Sequence, residues 1–471
     1  MSDSKSGGGS AATVSCVTAT AIVVADMVGV GVFTSLGFQV KDITSGFSLL
    51  LLWIIGGILA MCGAVCYAEL ASMFPRSSGE YNFLRRIYHP AFGFMAGWLS
   101  ATVGFAAPVA LAARAFSAYF KSVIPNPPPL PTGLDRFWSL LPGHADPWLV
   151  LPGLGLIWLV SLVHLAGIRR GSTFQNASTA LKLLLIVVFI VAGFAFASPQ
   201  SISFSPSALD TTFVTGAPFA ISLVFVMYSY SGWNAATYII GEIRNPQVSL
   251  PRALFIGTAI VTVLYVLLNA VFLFTAPLSE LSGQIEVAMI AGTHVFGELG
   301  GRLVGMLICL GLVSSVSAMM WIGPRVTMTM GEDMPMLRFF AQKSRKDVPA
   351  RAIVLQTLVA TLLMTTGTFD EVLDFIQFSL TLCTFFTVLG VIWLRITHPD
   401  KPRPYRAWGY PVTPVVFLAV TAFMMYYLVV DRPLQSLASL AVMLAGLAIY
   451  ATSFAFTSVS APAADTSQTA A

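Results

Sequence analysis

Twelve apolar stretches of about 18 residues or more run through the chain, near 16–39, 46–70, 91–120, 147–167, 174–198, 214–240, 250–276, 299–330, 350–368, 371–396, 409–430 and 434–458. An α-helix needs about 20 mostly apolar residues to cross the hydrocarbon of a bilayer. Within that hydrocarbon no water is present to satisfy backbone N–H and C=O groups, so each run has to be helical. The expected fold is therefore an all-α polytopic membrane protein with twelve transmembrane helices and the lipid bilayer as its solvent. Of the 471 residues 56% are hydrophobic and 10% charged, against about 25% charged in soluble domains. A lone anchor, a secreted disulfide scaffold and a disordered regulator are excluded, because only short ends such as Ser2–Ser10 and Ser460–Ala471 are polar or small throughout.

The net charge of +4 reflects where the cations fall and gives no sign of nucleic-acid binding. With the N-terminus inside, eighteen Lys and Arg lie on inner connections and ends, and five, Lys41, Lys121, Arg136, Arg302 and Arg432, on outer ones. This bias places both termini in the cytoplasm. The first apolar run is too long for a signal-peptide core and reads as a retained first helix. The longest outer loop, with Asn126-Pro127-Pro128-Pro129, reads as a stiff extended spacer. Cys16, Cys62, Cys66, Cys309 and Cys383 all sit in apolar runs, where a free thiol behaves as a small hydrophobe; neither a disulfide framework nor a metal site is expected.

Two of the apolar runs carry glycines that a spanning helix gains nothing from: Gly29-Val30-Gly31-Val32-Phe33 in the first and Tyr228-Ser229-Tyr230-Ser231-Gly232-Trp233 in the sixth. They lie five helices apart, so they cross the membrane in opposite senses. Paired interruptions in two inverted halves point to a transporter's substrate site at mid-membrane. The alternative is that these are close-packing glycines of the kind common between membrane helices.

The residues Tyr67-Ala68-Glu69-Leu70-Ala71-Ser72-Met73-Phe74-Pro75-Arg76-Ser77-Ser78-Gly79-Glu80-Tyr81, continuing through Gly93 to Gly97-Trp98, closely resemble the second-to-third-helix region of amino acid permeases of the amino acid–polyamine–organocation superfamily. Gly232-Trp233-Asn234, Glu242-Ile243-Arg244-Asn245-Pro246 and Leu250-Pro251-Arg252-Ala253 resemble the end of their sixth helix, closest to the L-type amino acid transporter branch and its bacterial relatives. The resemblance implies the inverted five-plus-five repeat of the bacterial leucine transporter fold, with repeats over 16–198 and 214–396. Two further helices span 409–458, and cytoplasmic tails cover 1–15 and 459–471. It also implies a secondary active transporter of amino acids, neutral L-amino acids first, in a plasma membrane such as the bacterial inner membrane, working by alternating access without a cofactor.

An amino acid brings a carboxylate and an ammonium, and both must be met by polar groups inside a membrane. On the family pattern, Gly29, Val30 and Gly31 would offer backbone N–H groups to the carboxylate at a half-helix N-terminus. Carbonyls near Met27, Tyr228, Ser229 and Ser231 would take the ammonium. Val30 stands where the family commonly has Ser, which leaves the main-chain part intact, and Ser231 replaces a common glycine. Asp26, an acid deep in an apolar run, is a departure: it would meet the ammonium, bind a distal cationic group, carry a proton, or be a neutral acid bonded to neighbouring hydroxyls. If it binds a cationic group, the substrate becomes a cationic amino acid or a polyamine.

Lys182 lies about 12 Å into helix five at 1.5 Å per residue. It either snorkels to the interface or, as the resemblance of Ala180-Leu181-Lys182 to sodium-independent family members implies, stands where sodium sits in coupled relatives. The second reading implies proton coupling or sodium-independent exchange, with Ser314, Ser315 and Ser317 as hydroxyl partners or as ordinary packing. Tyr228 and Trp233 flank the sixth-helix break as candidate gates or packing groups, and Asn234 is a candidate orienter of the broken helix. Arg114 reads as snorkelling outward. Glu69, Arg85, Glu242, Arg244 and Arg325 gather at the inner face, as a charged cytoplasmic gate or as solvated interfacial charge.

An enzyme is not expected, since His89, His144, His164, His294 and His398 are scattered without paired spacing. A channel is disfavoured by the lack of any filter-like repeat. A membrane sensor that binds an amino acid without moving it stays open. L-type relatives in animals pair with a single-span glycoprotein through a Cys between helices three and four; residues 121–146 contain none, so a stand-alone carrier is expected.

Overall fold

A computed structural model describes residues 14–124, 146–366 and 369–459. The spacer expected at 126–129 and the outermost parts of both tails lie outside the described residues. Among the described residues every regular element is helical, apart from one isolated parallel bridge between Val14 and Ile243. Among the described residues ten helices are long and apolar enough to cross a membrane, or eleven if the pair Ala208–Val214 and Ala217–Glu242, bent by 67°, is one span. A shorter apolar helix, Ala350–Thr366, occupies the place of the expected ninth span. The chain is thus a multi-pass membrane protein.

In chain order the described α-helices of seven residues or more are α1 (Cys16–Met27), α2 (Gly31–Gln39), α3 (Gly46–Met73), α4 (Gly79–Ile87), α5 (Pro90–Leu99), α6 (Ala106–Val123), α7 (Leu151–Leu165), α8 (Ile168–Phe196), α9 (Ala208–Val214), α10 (Ala217–Tyr230), α11 (Pro246–Thr275), α12 (Val287–Asp333), α13 (Ala350–Thr366), α14 (Phe369–Thr397), α15 (Val412–Asp431) and α16 (Pro433–Val459). The first and eighth spans are innermost, with 72% of the apolar window buried in each, whereas α15 and α16 have 28% and 22% buried and form the periphery. In a bilayer that difference separates helices surrounded by protein from helices that face lipid.

The run expected as one helix over 16–39 is two. Ser15 caps α1 by accepting the Thr18 N–H at 3.1 Å, and α1 stops at Met27, ahead of Gly29 and Gly31. Each glycine costs a helix about 1 kcal/mol relative to alanine, and side chains from elsewhere take the carbonyls that the break releases. The sixth span breaks likewise: α10 ends at Tyr230, Ser231 to Asn234 form turns, and tighter helical turns follow over Ala235–Glu242. Gly232 adopts φ +99°, which side-chain-bearing residues rarely tolerate.

Three features depart from uninterrupted spans. A five-residue π-helical turn, Ser100–Gly104, separates α5 from α6 in the run expected as one helix. A short helix, α4, fills the connection after α3, where no element was expected. The helix expected from 299 begins at Val287 and bends at Gly297 (φ +75°).

Candidate functional site

Lys182 on α8 is 2% exposed, so it does not snorkel. Its ammonium donates to the Val28 carbonyl at 2.5 Å, the Ser315 hydroxyl at 2.9 Å and the Ala25 carbonyl at 3.2 Å. Ser315 in turn donates to the Val28 carbonyl at 2.8 Å. The cation therefore sits on the C-terminal carbonyls of α1, where the helix dipole favours positive charge. An ammonium has three hydrogens and no acceptor capacity, so Lys182 is saturated.

Of the expected serines only Ser315 touches Lys182. Ser314 belongs to a separate group: its hydroxyl lies 3.2 Å from that of Thr179 and 3.3 Å from the Gln175 amide. Ser317 faces elsewhere again, 2.9 Å from His164 Nε2. Successive helical residues project about 100° apart, so three serines within four positions do not share one face.

Asp26, in the last turn of α1, is 8% exposed, and its Oδ1 has no hydrogen-bond partner among the described residues. The reading in which neighbouring hydroxyls satisfy it is thereby corrected. A Cβ placed on Gly232 would stand 2.6 Å from Asp26 Oδ2, so glycine alone lets the second break approach this acid. Asp26 lines a cavity of about 90 Å³ together with Ser231, Gly232, Trp233, Asn234 and Glu80. Ser100 and Gly104 from the π turn also line it; π turns inside helices recur at functional sites.

The remaining expected substrate residues stand behind that cavity rather than in it. Met27, Gly29, Val30, Gly31, Tyr228 and Ser229 are all buried. The Met27 carbonyl accepts from the Gly29 N–H at 2.7 Å and from the Tyr265 hydroxyl. The Tyr228 carbonyl accepts from the Ser231 N–H at 3.0 Å and its hydroxyl at 2.6 Å. Two bonds fill a carbonyl's lone pairs, so neither is available to a ligand as expected. The Ser229 carbonyl accepts from Tyr265 at 2.9 Å, and the Ser229 side chain meets Ser35 at 3.0 Å. Gly31 lies against Ser229 so closely that an added Cβ would come 2.7 Å from the Ser229 Cα. In this state α10 covers the first turn of α2.

Tyr265 on α11 thus ties the two breaks together with one hydroxyl, and its sequence neighbours gave no sign of it. The only signal was a tyrosine among Val263, Leu264 and Val266, since a buried phenol must find a partner. Glu80 on α4 also went unnoticed as a site residue. It is 5% exposed and accepts from Tyr67 at 2.8 Å, from Asn234 at 2.7 Å and from Tyr238. Asn234 is accordingly held to α4. Trp233 is edge-on to Tyr67, with ring centroids 4.6 Å apart, so it packs as well as lining the cavity.

The charges expected to gather at the inner face resolve into three groups rather than one cluster. Glu242 pairs with Arg325 at 3.0 Å and accepts from Trp321 at 3.4 Å. The same segment is strapped to the N-terminus: Val14 donates to the Glu242 carbonyl at 2.8 Å and Arg244 N–H to the Val14 carbonyl at 2.9 Å. Arg85 joins Arg76 on Asp333. Glu69 is fully buried with Arg395 at 2.6 Å and Arg403 at 3.4 Å. Arg114, expected to snorkel, donates to the Met364 carbonyl at the end of α13 at 2.6 Å.

Among the described residues no group of three or more His, Cys, Asp or Glu could hold a metal ion. Residues 14–454 match the family described as amino acid permease. The chain is 27% identical to the b(0,+)-type amino acid transporter 1 of Mus musculus over 418 residues, covering 88% of this chain and 81% of that protein. It is 26% identical to the large neutral amino acids transporter small subunit 2 of Homo sapiens over 453 residues, covering 94% and 81%.

Proposed function

This chain belongs to the amino acid permease family, and on that premise we propose that it is a secondary active transporter of neutral L-amino acids that does not use sodium. The observation that carries the reading is the meeting of two broken spans at one cavity, with a saturated cation behind the first break and an unsatisfied carboxylate in front of it. The substrate ammonium goes to Asp26, the one acid at the break with an oxygen to spare. The carboxylate goes to the first turn of α2, where the Phe33 N–H is taken by the Val30 carbonyl at 3.0 Å and the Gly31 and Val32 N–H groups have no intrahelical acceptor. Because α10 covers that turn, binding requires α2 and α10 to part, and this motion is the opening step of alternating access.

Lys182 supplies at the first break the fixed positive charge that a sodium ion would otherwise provide, which leaves proton coupling or exchange as the source of drive. The Glu242–Arg325 pair and the Val14 strap hold the inner ends of the first, sixth and eighth spans together, and we assign them to the cytoplasmic gate. The positive-inside bias supports a cell membrane location with both termini cytoplasmic. Because no Cys lies between Lys121 and Asp146, the carrier works without a disulfide-linked partner.

A second reading, transport of a cationic amino acid or polyamine, is favoured by the presence of two carboxylates, Asp26 and Glu80, on one cavity. Counterflow in proteoliposomes tests both. A neutral amino acid that exchanges, and goes on exchanging in Asp26→Asn, supports the first reading; exchange of cationic substrates only, abolished by that substitution, supports the second. No counterflow with any amino acid would leave a sensor.

A further inference from the structure

A cavity of about 430 Å³ lies on the other side of Lys182 from the site, between α8, α11 and α12, and is lined by residues including Phe33, Ile186, Phe189, Leu268, Leu307 and Gly311. Lys182 is its one charged lining residue, and it presents only its stem. A Cβ on Gly311 would stand 3.5 Å from Lys182 Cγ, while the ammonium is turned away onto α1 and Ser315. Water needs two or more polar partners to occupy a cavity, and apolar cavities of about 150 Å³ already stay dry and accept hydrocarbon. A polar ligand has nothing to hold here.

The rim is exposed: Leu299 is 72%, Val188 55%, Leu303 55% and Phe296 44% accessible. These residues belong to segments that cross or border the membrane, so the mouth is continuous with the lipid-facing surface. At its far end α12 bends away at Gly297, where an added Cβ would meet nothing within 4 Å. We propose that a phospholipid acyl chain occupies this cavity, entering between α8 and α12 in the half of the membrane beyond the first break. Phe33 lies two residues past Gly31, so the chain packs against both the outer half-helix of the first span and the stem of the cation that supports its inner half. The protein would then carry a hydrocarbon wedge directly behind its coupling residue.

The test uses the full-length protein in vesicles of phosphatidylethanolamine and phosphatidylglycerol that contain a phospholipid with a photoreactive diazirine in its acyl chain. After illumination, adducts are mapped by mass spectrometry. The expected result is stronger labelling of residues 185–189 and 303–311 than of exposed positions on α16 such as Leu437 and Leu444. Leu307→Trp, which fills the cavity, should lower that labelling several-fold, while Leu437→Trp should not. Should Leu307→Trp fail to fold, Leu303→Trp at the rim serves in its place. Labelling of these segments no stronger than that of α16, or unchanged by the filling variant, overturns the proposal. The readout does not involve transport, so it stands or falls separately from the substrate reading.

Discussion

Lys182 and Asp26 are both ionisable, both buried within apolar helices, and both next to the same interrupted turn, yet they are solvated by the protein in opposite ways. Every hydrogen of the Lys182 ammonium has an acceptor, whereas Asp26 Oδ1 has no donor. A buried charge without partners is expensive, and a protein that solves the problem fully on one side of a turn has no general reason to leave it unsolved on the other. On the proposed function, the difference separates a permanent part of the framework from a group whose partner arrives from outside: the cation would hold the break open and the carboxylate would receive the ammonium of the substrate.

That contrast is broken most easily at Lys182. Replacing it with Met strands the Ala25 carbonyl and leaves the Val28 carbonyl with Ser315 as its one side-chain donor in an apolar interior. With hydrogen bonds to charged groups contributing roughly 1.5–3 kcal/mol each, counterflow by Lys182→Met should fall by about 100-fold or more. A variant that exchanges at a rate near that of the parent would show the cation to be dispensable. Tyr265→Phe comes next: it removes the single O–H shared between the Met27 and Ser229 carbonyls and leaves these buried acceptors short of a donor, at about 1–3 kcal/mol, but keeps the ring packed on Trp53 and Tyr230. Its transport rate should drop by about 10-fold or more while the thermal midpoint moves little.

Asp26→Asn is the milder change, because the amide oxygen still accepts from an ammonium. For a neutral amino acid the half-saturating concentration should rise only a few-fold, and an unchanged value for every substrate would remove Asp26 from the site. The smallest effect is expected at an ion pair far from the site. Lys121 and Asp146 meet at 2.5 Å with both side chains more than a third exposed, and the Lys121 hydrogen bond holds the Asp146 carboxyl below the usual carboxylate range. A carboxyl so lowered stabilises the fold above about pH 4, its ordinary value, and loses that contribution as pH falls through its folded value. Solvent screening keeps the contribution small. The thermal midpoint of Asp146→Asn should therefore match the parent between about pH 5 and 8, and a clear drop there would mean that exposed pairs matter more than this contrast allows.

What could be read from the sequence was whatever violated the pattern of a spanning helix. Glycines at 29, 31 and 232, an aspartate at 26 and a lysine at 182 are anomalies in apolar runs, and each fell at or beside a break. Tyr265 could not be singled out this way, because an aromatic is an ordinary resident of a membrane helix and its importance lies in the two carbonyls it reaches across 36 and 238 positions of sequence. Glu80 sits in a polar connection where a carboxylate is unremarkable until α4 folds against Tyr67 and Tyr238. Partners of charged groups are set by packing alone: Glu69 found Arg395 and Arg403, and Arg85 found Asp333, none of which sequence proximity suggests. The freedom assigned to the Met27 carbonyl failed for the same reason, since Tyr265 is brought to it by the fold, whereas the Tyr228 carbonyl is filled locally by Ser231.

The account stands on a fixed cation doing at the first break what a sodium ion would do, and uptake into proteoliposomes tests that directly. Labelled neutral amino acids are presented under an inward proton gradient, or against internal unlabelled substrate, with sodium present and with sodium replaced by choline. The expected result is accumulation that follows the proton gradient or the internal substrate and is the same in both salts. Uptake that requires sodium would contradict the role given to Lys182.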